Sequence, residues 1–578
     1  MTRTIPYRPL SESESSEKTL PSAMCNQFLD EEYLQTLAQS TERAAKKDEL
    51  AMEEKMQQRM LEDALLNGGK VLKDDATLAE QEKAAKDDPA AYTEPFLEFM
   101  RGNPTVYHAV DAVARRVESA GFEELRESDS WASSISRGGK YYIKRNNSSI
   151  ISFIVGEKYE PGNGAAIIAT HIDAIAARLK PVSTLPTKDG FVQLGVAPYA
   201  SGLSGTWWDR DLGIGGRVIV RDDKTRKISS KLVKLDWPIA RIPTLAEHFG
   251  IGANFYHANK ETEAVPIIGL DNSDVQPPFP PSLASSSSTS ATNPKPEHQY
   301  GTPSPFTATQ PPRLVQLISK TLNLSPTDSI LNWDLELFDT QPAQLGGLDK
   351  EFIFAGRLDD KLCSFSAVEG LLSAKAGTSP HTLSLVACFD DEEVGSLLRQ
   401  GAHSNFLPNI LSRILSSLPS SSSSSSTPPP PISPDLLSTT LAHSFLISAD
   451  VSHSAHPNYP STNLPHHAPR FNIGVAIQAD PTGHTTTDAI SSSFLQRIAQ
   501  TAGQTLQVFQ TRNDVRSGGT VGPMLSSALG CRALDAGLAQ LSMHSIRATC
   551  GSLDPGLGVL LFRGFFEGFE EVNGEFGL

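Results

Sequence analysis

The chain has 578 residues, 39% of them hydrophobic and 20% charged, which is length for more than one domain and apolar content for a sizeable core. Its 50 Lys and Arg against 66 Asp and Glu give a net charge of −16, and no basic block is long enough to track phosphates, so nucleic acid is not an expected partner. No apolar run approaches the roughly 18 residues of a membrane span, and the opening MTRTIPYRPLSESESS carries proline and charge where a signal peptide needs an apolar stretch. The expectation is a soluble chain without a secretory leader. Five cysteines, Cys25, Cys363, Cys388, Cys531 and Cys550, are odd in number and form no CxxC pair, which points away from a disulfide framework and toward a reducing compartment.

In chain order, residues 1–91 read as an N-terminal arm. Apolar residues return at helical spacing as Leu29, Tyr33 and Leu37 and again as Met52, Met56 and Met60, which predicts one or two amphipathic helices. Two readings stand: a helix lying on the main body, or a propeptide or docking helix offered to a targeting receptor. The charged stretch LKDDATLAEQEKAAKDD then separates the arm from a denser segment that begins near Tyr92. Residues 272–312 and 416–434 are rich in serine and proline. Such segments bury too little apolar surface to offset their ordering entropy, so both read as exposed insertions in loops.

Four apolar runs with strand character each end in a polar cluster. Ala165–Ala169 leads to His171 and Asp173, Leu383–Cys388 to Asp390, Asp391, Glu392 and Glu393, Phe445–Ile447 to Asp450, and Leu538–Leu541 to His544. Helical stretches such as SFSAVEGLLSAKAG lie between them, which predicts a largely parallel α/β sheet whose ligands gather at the carboxyl ends of the strands. A fifth contributor is GRLDDKLCSF, where Asp359 and Asp360 open what reads as an amphipathic helix. Taken singly these signals are weak, since an H-x-D triplet is commonly a surface accident, a paired aspartate a helix cap, and a DDEE run a solvated loop.

Their joint placement says more. Two histidines and several carboxylates suit zinc or a similar divalent ion, and a pair of ions about 3.5–4 Å apart needs one bridging carboxylate plus a histidine and a carboxylate for each. Asp359 can bridge, His171 and Asp450 can complete one ion, and Glu393 and His544 the other. Asp173, two residues beyond His171, can accept the ring N–H and fix its tautomer. Glu392, beside a ligand, suits a general base.

The strings ATHIDAIAARLKPVS, GVAPYASGLSGTWWDRDLGIGGR, AGRLDDKLCSF, CFDDEEVGSLLRQGA, ISADVSHSAHPNYP, RNDVRSGGTVGP and LAQLSMHSIRATCGS resemble the aspartyl aminopeptidase and vacuolar aminopeptidase I family of dinuclear zinc exopeptidases, from about Tyr92 to about Val572. WWDRDLGIGGR, DPTGHTTTD and RSGGTVGP are nearer the fungal vacuolar branch. The resemblance implies two zinc ions (Zn2+) per subunit, with His171, Asp359, Glu393, Asp450 and His544 on the ligand positions, Asp173 on the orienting aspartate and Glu392 on the catalytic base. It also implies a zinc-exopeptidase α/β catalytic domain, residues 92–180 and 347–578, interrupted by a mainly β oligomerisation domain, residues 181–346. The assembly it implies is a homo-oligomeric dodecamer, with His248 reaching a neighbouring subunit's active site and the particle located in the vacuole or cytoplasm.

Gly518 and Gly519 in RSGGTVGP let backbone approach a ligand closely, although a tight turn would use the same residues. His453 and His456 follow Asp450 closely enough to contact substrate. The expected activity is removal of single N-terminal residues from peptide substrates, with Glu392 taking a proton from the attacking water and returning it to the leaving amine. A catalytically idle assembly or cargo scaffold and a hydrolase of other amides are the rivals, and the complete ligand set argues against the first. The segment Phe471–Gln496 contains no Lys or Arg, so neutral or apolar N-terminal residues are expected over Asp or Glu, unless Arg470, Arg516 or another subunit supplies a cation.

Overall fold

The computed structural model describes residues 86–249, 257–273, 304–375, 377–418 and 434–577. The helices expected between Leu29 and Met60 lie outside the described residues, as do positions 274–303 and 419–433, which hold most of the two Ser/Pro-rich segments.

Helices α1 (Thr93–Gly102) and α2 (Val106–Ser119) open the described chain. Phe96, Leu97 and Met100 on α1 and Val106, Val110, Val113 and Val117 on α2 recur at three- and four-residue spacing and are buried, the mark of helices with one face on a core. Strands β1 (Glu123–Glu124), β2 (Lys140–Arg145), β3 (Ser149–Val155) and β4 (Ala165–His171) follow. The chain then leaves this layer for five long strands and one short one, β5 (Ala176–Thr184), β6 (Phe191–Tyr199), β7 (Leu212–Asp222), β8 (Ile228–Ala240), the short β9 (Ile267–Leu270) and β10 (Asp328–Asp339), with helix α3 (Pro312–Thr321) before the last. It returns through β11 (Gln344–Gly346), β12 (Phe352–Ala355), α4 (Leu358–Ser373), β13 (Leu383–Phe389), α5 (Phe406–Ser417), α6 (Pro434–Ala442), β14 (Phe445–Ser448) and β15 (Ser452–His453). The last elements are β16 (Ala476–Ala479), α7 (Ala489–Thr501), β17 (Gln507–Gln510), α8 (Val521–Leu529), β18 (Arg532–Gly537), β19 (Ala539–Gln540), β20 (Ala548–Gly551) and α9 (Asp554–Phe576).

The main sheet has nine strands in the order β1-β2-β3-β13-β4-β14-β18-β16-β17. Its centre, β13, β4, β14 and β18, is parallel, while β3 and β16 flank it antiparallel. Every residue of β4 and β14 is buried. Alternate residues of β4 feed different cores: Ala166 and Ile168 pack with α2, α4 and α9, and Ala165, Ile167 and Ala169 with α5 and α8. A parallel strand covered on both faces reads as a continuous apolar run, which is why the sequence shows no alternation there.

The second sheet, β8-β7-β10-β5-β6-β9, is antiparallel throughout and has its own core, which includes Leu314 and Ile318 of α3. The fold is therefore an α/β catalytic unit carrying an inserted, mainly β unit.

Four expectations need correction. The sheet strand before His544 is Arg532–Gly537; Leu538–Leu541 contributes only the two-residue β19, paired with β15 outside the main sheet. The helix after Asp359 is not amphipathic, because twelve of its sixteen residues are buried under α1 and α9. The six-stranded sheet starts at Ala176 and ends at Asp339, and β11 pairs with β12 in a separate small sheet with β20, so 181 and 346 do not bound it. Finally, residues 304–312 of the first Ser/Pro-rich segment are packed. The Phe306 ring stands edge-on to Trp333 at 5.1 Å, and the Gln310 side chain donates to the Pro181 carbonyl at 2.7 Å. One aromatic and one buried amide anchor what composition alone made a loop.

Candidate metal centre

Parallel strands that end together place their following loops on one edge of the sheet. Phe389, the last residue of β13, lies in register with His171, the last of β4, and β14 ends two residues before Asp450. The turns that carry the polar residues depart from ordinary backbone: Arg357 (φ 60°), Asp391 (φ 64°), Ser542 (φ 63°) and His544 (φ 60°) all sit in the left-handed region without being glycine. Strain of this kind collects at functional sites, where surrounding structure holds it. Gly537, at the end of β18, is needed for close approach, since a Cβ there would lie 1.8 Å from the Asp450 carbonyl oxygen.

The five expected ligands and the expected base converge. His171 Nε2 is 3.1 Å from Asp359 Oδ1, 3.6 Å from Asp450 Oδ1 and 3.9 Å from Glu392 Oε2. On the other side, His544 Nε2 is 3.6 Å from Asp359 Oδ2 and 3.8 Å from Glu393 Oε2. Asp359 thus turns one oxygen to each histidine. Two groups with ligand atoms within 4.8 Å of one another result, His171, Glu392 and Asp450, and Asp359, Glu393 and His544. Asp360 takes the blander role, its carboxylate accepting from the Cys363 N–H at the helix start (3.4 Å).

Asp173 is buried and takes four donors. Its Oδ1 faces His171 Nδ1 at 3.3 Å and accepts the Glu392 N–H at 3.2 Å, while Oδ2 accepts the Tyr199 hydroxyl at 2.7 Å and the Glu393 N–H at 3.3 Å. Burial, reinforced by the neighbouring carboxylates, pushes the Glu392 carboxyl up to about 8 and that of Glu393 up to about 9, and raises that of Asp450. Burial alone would lower the His171 pKa, but Asp450, Asp173 and Asp359 raise it well above the usual range. Glu393 Oε1 is buried with no hydrogen-bond partner. Four carboxylates crowd a buried edge with two histidines, one oxygen of Glu393 is unsatisfied, and the donor set fits divalent cations.

A cavity of about 550 Å³ opens onto Asp359, Glu392, Glu393, Asp450 and His544. His453, Gly518 and Gly519 line it, as do His456, Gln478, Asp480, Phe509 and Arg516. Neither glycine has a left-handed φ and neither site crowds a Cβ, Gly519 having its nearest neighbour at 3.9 Å, so a tight turn is not what requires them. The buried Asp535 on β18 ties two walls of this cavity, accepting from Thr520 Oγ1 at 2.6 Å and from the Thr486 N–H. His248 is exposed, its ring is tilted against that of Phe249 with centroids 4.5 Å apart, and it lies outside the cavity lining of its own chain. Sequence reasoning missed Tyr199 and Asp535 and gave Asp391 of the acidic cluster no role, because each acts through partners distant in sequence.

The sequence profile described as aminopeptidase I zinc metalloprotease (M18) matches residues 99–566. The chain belongs to this M18 aminopeptidase I family. It is 42% identical over 83% of its length to an aspartyl aminopeptidase of Aspergillus oryzae, covering 96% of that protein, and 37% identical over 86% to vacuolar aminopeptidase 1 of Saccharomyces cerevisiae, covering 94%. Among solved structures it is similar to mApe1 of Chaetomium thermophilum, with 53% identity, a TM-score of 0.73, and 84% of this chain and 99% of that one covered. It is also similar to the S. cerevisiae mApe1 dodecamer, with 34% identity, a TM-score of 0.70, and 84% and 99% covered. This M18 chain is a metalloaminopeptidase. Among the described residues no helix is long and apolar enough to cross a membrane, and the four described cysteines are buried and free.

Proposed function

We propose that the chain removes single N-terminal residues at a centre holding two zinc ions. His171 and Asp450 would hold one, Glu393 and His544 the other, and Asp359 would serve both. The observation that carries this reading is Asp359 presenting separate oxygens, at 3.1 and 3.6 Å, to the two histidines. Zinc bound there supplies Lewis-acid polarisation of the scissile carbonyl and a water of lowered pKa.

The protein's own groups do the rest. Glu392 lines the cavity beside the candidate ligands, where its carboxylate suits a group that takes a proton from water and gives it to the leaving amine. Asp173 holds His171 through Nδ1 and pins the Glu392 and Glu393 amides, fixing both side chains by one carboxylate. The acidic rim receives the substrate's free ammonium group, which favours exopeptidase cleavage.

For the side chain removed, the cavity favours neutral or apolar residues: Val451, Phe509 and Met543 line it, and the stretch after Asp450 contributes Gln478 and Asp480 but no cation. A second reading rests on Arg516, the only Lys or Arg among the lining residues, which would pair with an acidic side chain. The relatives named aspartyl aminopeptidase favour it. Leucyl and aspartyl chromogenic substrates, compared on the zinc-loaded wild type and on Arg516→Ala, separate the two. A higher kcat/KM for the leucyl substrate in both proteins is expected; aspartyl preference lost in the variant would establish the second reading.

The dodecameric relative supports assembly of this chain into the same kind of particle; that the inserted sheet makes the contacts and that His248 reaches a neighbour's cavity are part of the same proposal and rest on the family resemblance. The vacuolar relative supports a vacuolar or cytoplasmic location, with residues 1–85 offered to a targeting receptor. Light scattering on the full chain, and localisation after removal of those residues, test these two points.

A further inference from the structure

Among the described residues the six-stranded sheet contributes to neither of the two candidate metal groups, yet one of its side chains reaches the centre. Tyr199 is the last residue of β6, is 6% exposed, and stands outside the apolar core of its own sheet. Its hydroxyl donates to Asp173 Oδ2 at 2.7 Å and lies 3.2 Å from Asp391 Oδ1. Both acceptors belong to the catalytic unit. Asp173 orients His171 and accepts the Glu392 and Glu393 amides, and Asp391 is the left-handed residue (φ 64°) from which that turn begins.

The ring is fixed from behind. Arg178 of the neighbouring strand β5 covers it at 3.6 Å and is itself held by Glu336 of β10, 3.7 Å away. A cation over the ring face and two strands behind it leave the hydroxyl little freedom. Without that hydroxyl, Asp173 Oδ2 would keep one amide contact of 3.3 Å, and Asp391 would keep Gln400 but lose its link to the inserted sheet. Buried carboxylates in that position reorient toward other donors.

Resting on the two-metal reading above, we infer that Tyr199 is a positioning residue through which the inserted sheet holds the Asp173 carboxylate and the 391–393 turn in the geometry that binds metal. Partners that bond a ligand directly, as Asp173 does His171, govern about 10- to 100-fold of metal affinity or activity; Tyr199 stands one bond further out and acts through Asp173, which sets its effect at the lower end of that range.

The test uses the full chain with three substitutions. Zinc affinity is measured by competition with a chromophoric chelator, amide hydrogen exchange is followed at residues 391–396, and kcat, KM and Tm are recorded. Tyr199→Phe is expected to lose about 10-fold in zinc affinity, to exchange faster at the Glu392 and Glu393 amides, and to lose kcat with KM held. Val196→Ala, in the apolar core of the same sheet, is expected to lower Tm while zinc affinity and exchange at those amides stay at wild-type values. Wild-type zinc affinity and exchange in Tyr199→Phe would overturn the inference, and so would the same losses in Val196→Ala. Asp359→Asn separates the two levels: metal lost there but kept in Tyr199→Phe defeats only the role of Tyr199, whereas metal kept in Asp359→Asn defeats the metal centre itself.

Discussion

In the main sheet, β4 and β14 span seven and four residues and bury all of them, whereas β7, β8 and β10 of the inserted sheet run to 11, 13 and 12 residues, and β8 leaves Ile228 and Trp237 about half exposed. The strands differ in what their ends can do. Parallel neighbours finish on the same edge, so the end of β4 and the loops after β13 and β14 deliver His171, Glu392 and Asp450 to one place. An antiparallel meander sends successive ends to opposite edges and concentrates nothing. Long strands with one open face suit contact with other molecules. The chemistry therefore sits in one sheet, and the other reaches it through Tyr199.

The largest expected effect lies at the edge where the parallel strands end. Glu392→Gln should lower kcat by about 10²–10⁴-fold while zinc content per subunit stays at the wild-type value; near-normal turnover would remove Glu392 from proton transfer. Within the parallel layer, Ile167→Ala should cost about 2–5 kcal/mol, because Ile167 is fully buried against α5 and α8. Its denaturant midpoint measures this, and a shift under 1 kcal/mol would mean that the layer repacks more freely than two-sided burial allows.

Between the two sheets, α2 touches both β3 and β7 and carries the buried His108, whose Nδ1 lies 2.8 Å from Thr105 Oγ1. Burial, with Lys361, Lys234 and Arg115 adding to it, lowers its pKa from 6.5 to about 4. The folded state then binds fewer protons than the unfolded one, so stability is full above about pH 6.5 and falls as pH drops toward 4, by about 3 kcal/mol in all. Melting at pH 7 and pH 4.5 should show a smaller acid-side loss in His108→Gln than in the wild type. An unchanged loss would place the acid sensitivity elsewhere. The smallest effect is expected on the open face of the inserted sheet, where Ile228→Ala should change stability by no more than about 0.5 kcal/mol. A larger cost would show that the assembled particle covers this face.

Much of the site was legible because ligands for one ion type must follow a few strand ends. His171, Asp359, Glu392, Glu393, Asp450 and His544 all stand within apolar runs or directly after them. The misreadings share a cause. The helix opened by Asp359 was expected to be amphipathic, and its burial on nearly all sides depends on α1 and α9, far away in the chain. The run before His544 looked like a sheet strand because Leu538 and Leu541 resemble the true strand five residues earlier, and only pairing with β14 tells them apart. Phe306 and Gln310 were hidden in a compositionally simple segment, since composition averages over the two residues that pack.

Sequence by itself determined the residue types available for metal chemistry, their order along the chain, and the alternation of short apolar runs with helices that makes a parallel sheet, because these depend on local periodicity and on which atoms can bind a cation. Tertiary structure alone decided that Asp359 faces both histidines, that Asp173 accepts four donors, and that Arg516 stands on the cavity wall. It also decided that a tyrosine from a second sheet touches the first. The Tyr199 hydroxyl meets Asp391 across 192 positions of sequence. Contacts of that separation are set by how whole layers pack, and no local pattern of residues encodes them.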